Sequence, residues 1–81
     1  MPLTTRRHRS DCEEAVLLAL EEANGNLVST RFCLGVARRL GVHATFYQIN
    51  GACWRLWRRG IIARCTQGHY RFLWQLRSVE P

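Results

Sequence analysis

From residue 10 to residue 60 the apolar positions recur at helical spacing in three blocks, and after residue 60 the spacing changes to two. In the first block Cys12, Val16, Leu17, Ala19, Leu20 and Ala23 fall on one arc. Leu18 lies off that arc, between Glu14 and Glu22. Ser10 and Glu13 form an S-x-x-E capping box, and Asp11, Glu13 and Glu14 suit the positive end of a helix. A helix is therefore expected from Ser10 to about Ala23, ended by "NGN" at 24–26. The next segment, "LVS" at 27–29, reads equally as a short strand or as the lead into a second helix capped by Ser29 or Thr30 and ended at Gly41. Cys33, Val36, Ala37 and Leu40 share a stripe there, with Phe32 and Leu34 at its edges; Arg31, Gly35 and Arg38 face away.

The third block opens with a T-x-x-Q box, "TFYQ" at 45–48, which predicts a helix over about 46–59 ending at Gly60. Phe46, Ile49, Cys53, Leu56 and Trp57 form its apolar face; Tyr47, Gln48, Gly51, Arg55 and Arg58 form the opposite one, with Trp54 at the margin. Gly51 costs such a helix about 1 kcal/mol relative to alanine, so a packing or binding reason is expected for it. The period-two segments "IIARCT" and "HYRFLWQL", separated by "QG" at 67–68, predict two antiparallel strands. Tyr70, Phe72, Trp74 and Leu76 share one face of the second, and Leu20, Cys33, Val36, Leu40, Ile49, Cys53 and Leu56 are the expected core.

Charge changes the picture. The chain has 81 residues and a formal net charge of +6, and all 12 of its basic side chains apart from histidine are arginines. Five of the six acids lie between residues 11 and 22; from Gly25 to Val79 there are nine arginines and no acid. A basic stretch of that length points to a polyanion, and the forked guanidinium suits phosphate and guanine. The same composition argues against catalysis: there is no Ser/His/Asp set, no phosphate-cradling glycine loop, and no acid across that stretch to act as a base or hold magnesium. Cys12, Cys33, Cys53 and Cys65 lack zinc-site spacing and three of them fall on apolar faces, so buried thiols are expected, with no metal and no cofactor. No small-molecule substrate is expected either. No continuous apolar run follows the basic start before Ser10, and "AVLLAL" is too short to span a bilayer. The expectation is a cytoplasmic protein with no membrane partner, made of a flexible basic arm (1–9), one domain (10–77) and a short tail (78–81).

Three helices and a terminal hairpin, carried by "FCLGVARRLGV", "LWRRGIIAR" and "GHYRFLW", resemble the winged helix-turn-helix family. Ala37 and Gly41 match its close helix crossing; Leu56, Gly60, Ile61, Ile62 and Arg64 match its passage from third helix to wing. The chain departs from the pattern at Tyr47, which stands where the third helix usually has its first core residue; Ile49 takes that part, as a longer turn would require. The resemblance implies an α+β fold, mainly α: a three-helix core with a C-terminal β-hairpin wing. It also implies a sequence-specific double-stranded DNA-binding protein, a transcriptional regulator. Its third helix would enter the major groove and the 61–76 hairpin would serve as wing. On that reading Tyr47, Gln48, Gly51 and Arg55 face the bases, with Thr45 at the helix start and Arg58 towards phosphate. Thr30, Arg31 and Arg38 hold phosphates, and Gln67, His69 and Arg71 lie on or near the wing. The first helix, through Leu18 and Ala15, is the expected homodimer surface. A winged-helix module that binds protein, or an RNA binder, are the alternatives that the same basic face leaves open.

Overall fold

The computed structural model describes residues 10–68 and 71–77, with the side chains of Gln67 and Arg71 excepted. The order is α1 (Asp11–Glu22), β1 (Val28–Ser29), α2 (Thr30–Arg39), α3 (Phe46–Arg58), β2 (Ile62–Gln67) and β3 (Arg71–Leu76). The architecture is α+β and mainly helical, with three helices and an antiparallel sheet. His69 and the expected 1–9 arm and 78–81 tail lie outside the described residues.

Local signals place the helix ends. Ser10, Ser29 and Thr45 each have extended backbone, and each side-chain oxygen accepts the N–H three residues on. α2 and α3 end alike. Gly41 and Gly60 take left-handed backbone (φ 84° and 78°), which a β-carbon would resist. Around each, two N–H groups fold back: Gly41 to Arg38 and Val42 to Ala37, Gly60 to Trp57 and Ile61 to Leu56. This satisfies carbonyls that the last helical turn would leave open.

The first capping box is half formed. Ser10 accepts from Glu13 N–H, but the Glu13 carboxylate does not return to the cap; it is held by two arginines of the third helical segment. The box at Thr45 is complete, with Gln48 Oε1 accepting Thr45 N–H at 2.9 Å.

The sheet has three strands in the order β1-β3-β2. The segment left open at 27–29 is thus partly a strand: Val28 pairs with Trp74 and Ser29 with Leu73. The β2–β3 pairing runs from Ile62↔Leu76 to Gln67↔Arg71, so the hairpin becomes two strands of a larger sheet. Gln75 Nε2 donates to Gly25 O, which ties the turn after α1 to β3.

The core lies where the helices meet the sheet. Leu20, Cys33, Val36, Ile49, Cys53 and Leu56 are buried as expected, joined by Val16, Ala52, Ile62 and Trp74. Leu40 is a correction: it is 52% exposed. It is the residue at which α2 ends, and the reversal at Gly41 brings Val42 against the core instead. Phe46 is also more exposed than its place on the apolar face implied; it is the first helical residue, and Ile49 one turn later fills the core. Cys33 and Cys53 are buried, Cys12 is half-buried and Cys65 exposed, all as free thiols. No helix among the described residues is long and apolar enough to cross a membrane.

Candidate nucleic-acid interface

The polar face of α3 divides into two halves with different surroundings. Its first half is flanked by α2. At one end Arg38 shares a cleft of about 510 Å³ with Thr45 and Gln48. At the other, Arg31 shares a cleft of about 570 Å³ with Phe46 and Asn50. On the same first turn of α3 stands Tyr47, 83% exposed. Two arginines seven residues apart on α2 therefore bracket the start of α3, about two helical turns apart. Among the described residues the ion pairs engage Arg39, Arg55 and Arg59, and none engages Arg31, Arg38 or Arg58.

The second half of α3 is occupied by a contact invisible in local patterning. Glu13 of α1 has a side chain only 4% exposed, yet it is charged. Arg55 Nε donates to its Oε2 at 2.7 Å, and Arg59 Nη2 donates to both carboxylate oxygens at 3.1 Å. Burial pushes the Glu13 carboxyl up, but hydrogen bonds and charge from Arg55 and Arg59 outweigh it and hold the group below its ordinary value. Two half-exposed guanidiniums thus share one buried anion across the α1–α3 seam.

This arrangement explains Gly51. The Arg55 side chain leans back one turn along the helix, as long helical side chains do, and its guanidinium covers position 51. A β-carbon at Gly51 would sit 3.3 Å from Arg55 Nη1. The gap expected to admit a ligand is therefore filled by the chain's own arginine on its way to Glu13.

Other expected site residues fall as follows. Gln48 is exposed, and its Oε1 accepts Thr45 N–H, so the cap uses one of that oxygen's two lone pairs and fixes the direction of the amide. Arg58 is exposed at the end of α3. Gln67 and Arg71 pair at the end of the β2–β3 ladder, which puts their backbone at the hairpin tip.

Two expected contacts are corrected by burial. Thr30 is buried, and its hydroxyl is committed: it accepts Trp74 Nε1–H at 2.9 Å and donates to Asn50 Oδ1 at 3.1 Å. It joins β3, α2 and α3 rather than meeting a phosphate. Ala15 is 1% exposed in the single chain, so it offers no surface to a second copy, whereas Leu18 is 40% exposed.

Sequence patterning did not single out Arg64 for its contacts or Asn50 at all. The Arg64 guanidinium lies 4.0 Å from the Trp57 ring centre, 4.9 Å from Trp54 and 5.2 Å from Phe72. Its alternation in β2 opposite Trp74 is the one sequence signal that could have placed it there. Comparisons with protein-family models, with curated proteins and with solved structures gave no match to this chain, so the reading of this face rests on its own residues.

Proposed function

We propose that the chain is a winged-helix DNA-binding module that docks the α2–α3 face on duplex DNA and acts as a sequence-specific transcriptional regulator. The observation that carries the reading is that Arg31 and Arg38, neither of which has an ion pair among the described residues, line separate clefts with residues from the start of α3, the turn on which Tyr47 is exposed. Arginines so placed suit phosphates on either side of a groove that the start of α3 enters, and Tyr47 and Gln48 are the residues nearest the bases. Arg58 extends the phosphate track, and Gln67, His69 and Arg71 belong to the wing in this reading. Arg55 contributes to base reading by exchanging Glu13 for DNA.

The regulator is proposed to act as a homodimer through the exposed side of α1, with Leu18 at its centre. Two-fold symmetry would place two copies of α3 on half-sites about 34 Å apart.

Arginine variants on one helix test the reading. Arg31→Ala and Arg38→Ala should weaken binding to all duplex sequences and each reduce the salt slope by about one. Arg39→Ala, on the same helix but paired with Glu22 at 2.7 Å, should change it less. Equal effects of all three substitutions would count against a specific phosphate track.

A further inference from the structure

The cleft beside Arg31 has more than charge. Phe46 and Phe72 line it and are each over one-third exposed, whereas the neighbouring Trp74 is fully buried. Trp54 also lines it. That ring is locked edge-on against Trp57, Phe72 and Trp74 at 5.5, 5.2 and 5.5 Å, and Arg64 lies across the same group. The Trp54 and Phe72 walls are packed in place before any ligand arrives, so little of their side-chain freedom is lost on binding.

Asn50 gives the cleft a directed polar group. Its Oδ1 accepts the Thr30 hydroxyl, which itself holds buried Trp74 Nε1, so the amide orientation is set from inside the protein. The Nδ2 protons remain as donors. A matching ligand has a flat ring, a hydrogen-bond acceptor on its edge, and an anion within reach of Arg31. A phenyl side chain has no ring-edge acceptor, a phenol has its oxygen as acceptor but carries no anion of its own, and inorganic phosphate lacks the ring. A nucleotide has all three.

We propose that this cleft takes a single unstacked nucleobase, with its ring among Phe46, Trp54 and Phe72, an acceptor on Asn50 Nδ2 and its phosphate on Arg31. The proposal rests on the nucleic-acid reading for its partner class but does not need the ligand to be a continuous duplex. The base can come from a nucleotide turned out of a duplex or from a single strand.

The test uses the full chain and three probes: an intact blunt duplex, the same duplex with one unpaired thymine, and an eight-residue oligothymidylate. Anisotropy of a labelled probe reads affinity, and emission of Trp54, Trp57 and Trp74 reads occupancy of the cleft. The unpaired thymine should quench the emission and raise affinity about tenfold over the intact duplex, in the range of one stacked base. Phe72→Leu and Asn50→Asp should abolish that ratio; the second keeps an acceptor for Thr30, and the ratio cancels its added charge. Circular dichroism confirms that each variant folds.

Equal affinity for intact and interrupted duplex without quenching would overturn the cleft proposal and leave the duplex reading standing. Quenching by oligothymidylate, lost in Phe72→Leu, together with no binding to the intact duplex at 50 mM salt, would support the cleft with a single strand as its source and overturn the duplex reading. A preference that survives both substitutions would also overturn the cleft proposal.

Discussion

At the scale of single residues, Glu13, Gly51 and Arg55 form one device. The carboxylate is buried, the guanidinium must cross the helix to reach it, and the glycine leaves the crossing clear. Gly51→Ala should leave stability unchanged or raise it by up to about 1 kcal/mol, because helix propensity improves and the nearest obstacle is the movable tip of Arg55. A clear loss in chemical denaturation would show that the crossing cannot adjust. Glu13→Gln should act in opposite directions on two readouts. It should cost about 1–3 kcal/mol of stability through weakened charge-assisted hydrogen bonds, while freeing two arginines and strengthening non-specific DNA binding. The pH dependence has a definite sign. Since the folded-state value lies below the ordinary 4.5, the contribution of Glu13 is complete above that pH and disappears as pH falls through the folded value. Denaturation midpoints of the parent should therefore drop on acidification below about pH 4.5 more steeply than those of Glu13→Gln. None of this was legible in the sequence. Glu13 and Arg55 are 42 positions apart, and Glu13 satisfied a local capping pattern well enough to hide its long-range partner.

At the scale of elements, the helices were legible because their ends are local chemistry. Ser10, Thr45 with Gln48, and the glycines at 41 and 60 each act on groups a few residues away, and the structure uses each as a cap or stop. β1 was not legible. Two residues are too few to show a period, and Val28 and Ser29 become a strand through pairing with a segment more than forty positions later. Thr30 was misread for a related reason: a polar residue at the start of a helix looks exposed until a tryptophan from β3 is found bonding to it. Thr30→Val should remove the acceptor of Trp74 Nε1 and cost about 1–3 kcal/mol in a denaturant titration. At a temperature where the variant is folded, its DNA affinity should match the parent's; a loss equal to that of Arg31→Ala would restore Thr30 as a contact. The dimer proposal also belongs to this scale. Leu18 is the exposed apolar residue of α1, so Leu18→Glu should shift sedimentation of a dimeric parent towards monomer with no loss of helix content. A parent that sediments as monomer at high micromolar concentration, free of DNA, would remove the dimer from the account.

At the scale of the whole molecule, charge is the organising feature, and composition alone makes it visible. Five of the six acids gather on α1 and nine of the 12 arginines follow it, so the sign asymmetry along the chain is already an asymmetry between elements. What composition could not show is how far the arginines are neutralised. Arg39, Arg55 and Arg59 are paired with α1 acids, Arg64 is spread over aromatic rings, and Arg31, Arg38 and Arg58 are left without ion pairs among the described residues. Arg77, after β3, also has no ion pair among the described residues but donates to Gly60 O, so the proposed footprint centres on Arg31, Arg38 and Arg58 of α2 and α3.

The most direct measurement of that footprint is the affinity of the full chain for a duplex of random sequence as salt is raised from 50 to 200 mM. If about six phosphates are neutralised per bound unit, affinity should fall about a thousandfold over that range, along a straight line in log affinity against log salt. A chain that remains folded by circular dichroism yet ignores duplex DNA at 50 mM salt, or binds it with an affinity that salt does not change, would contradict the account.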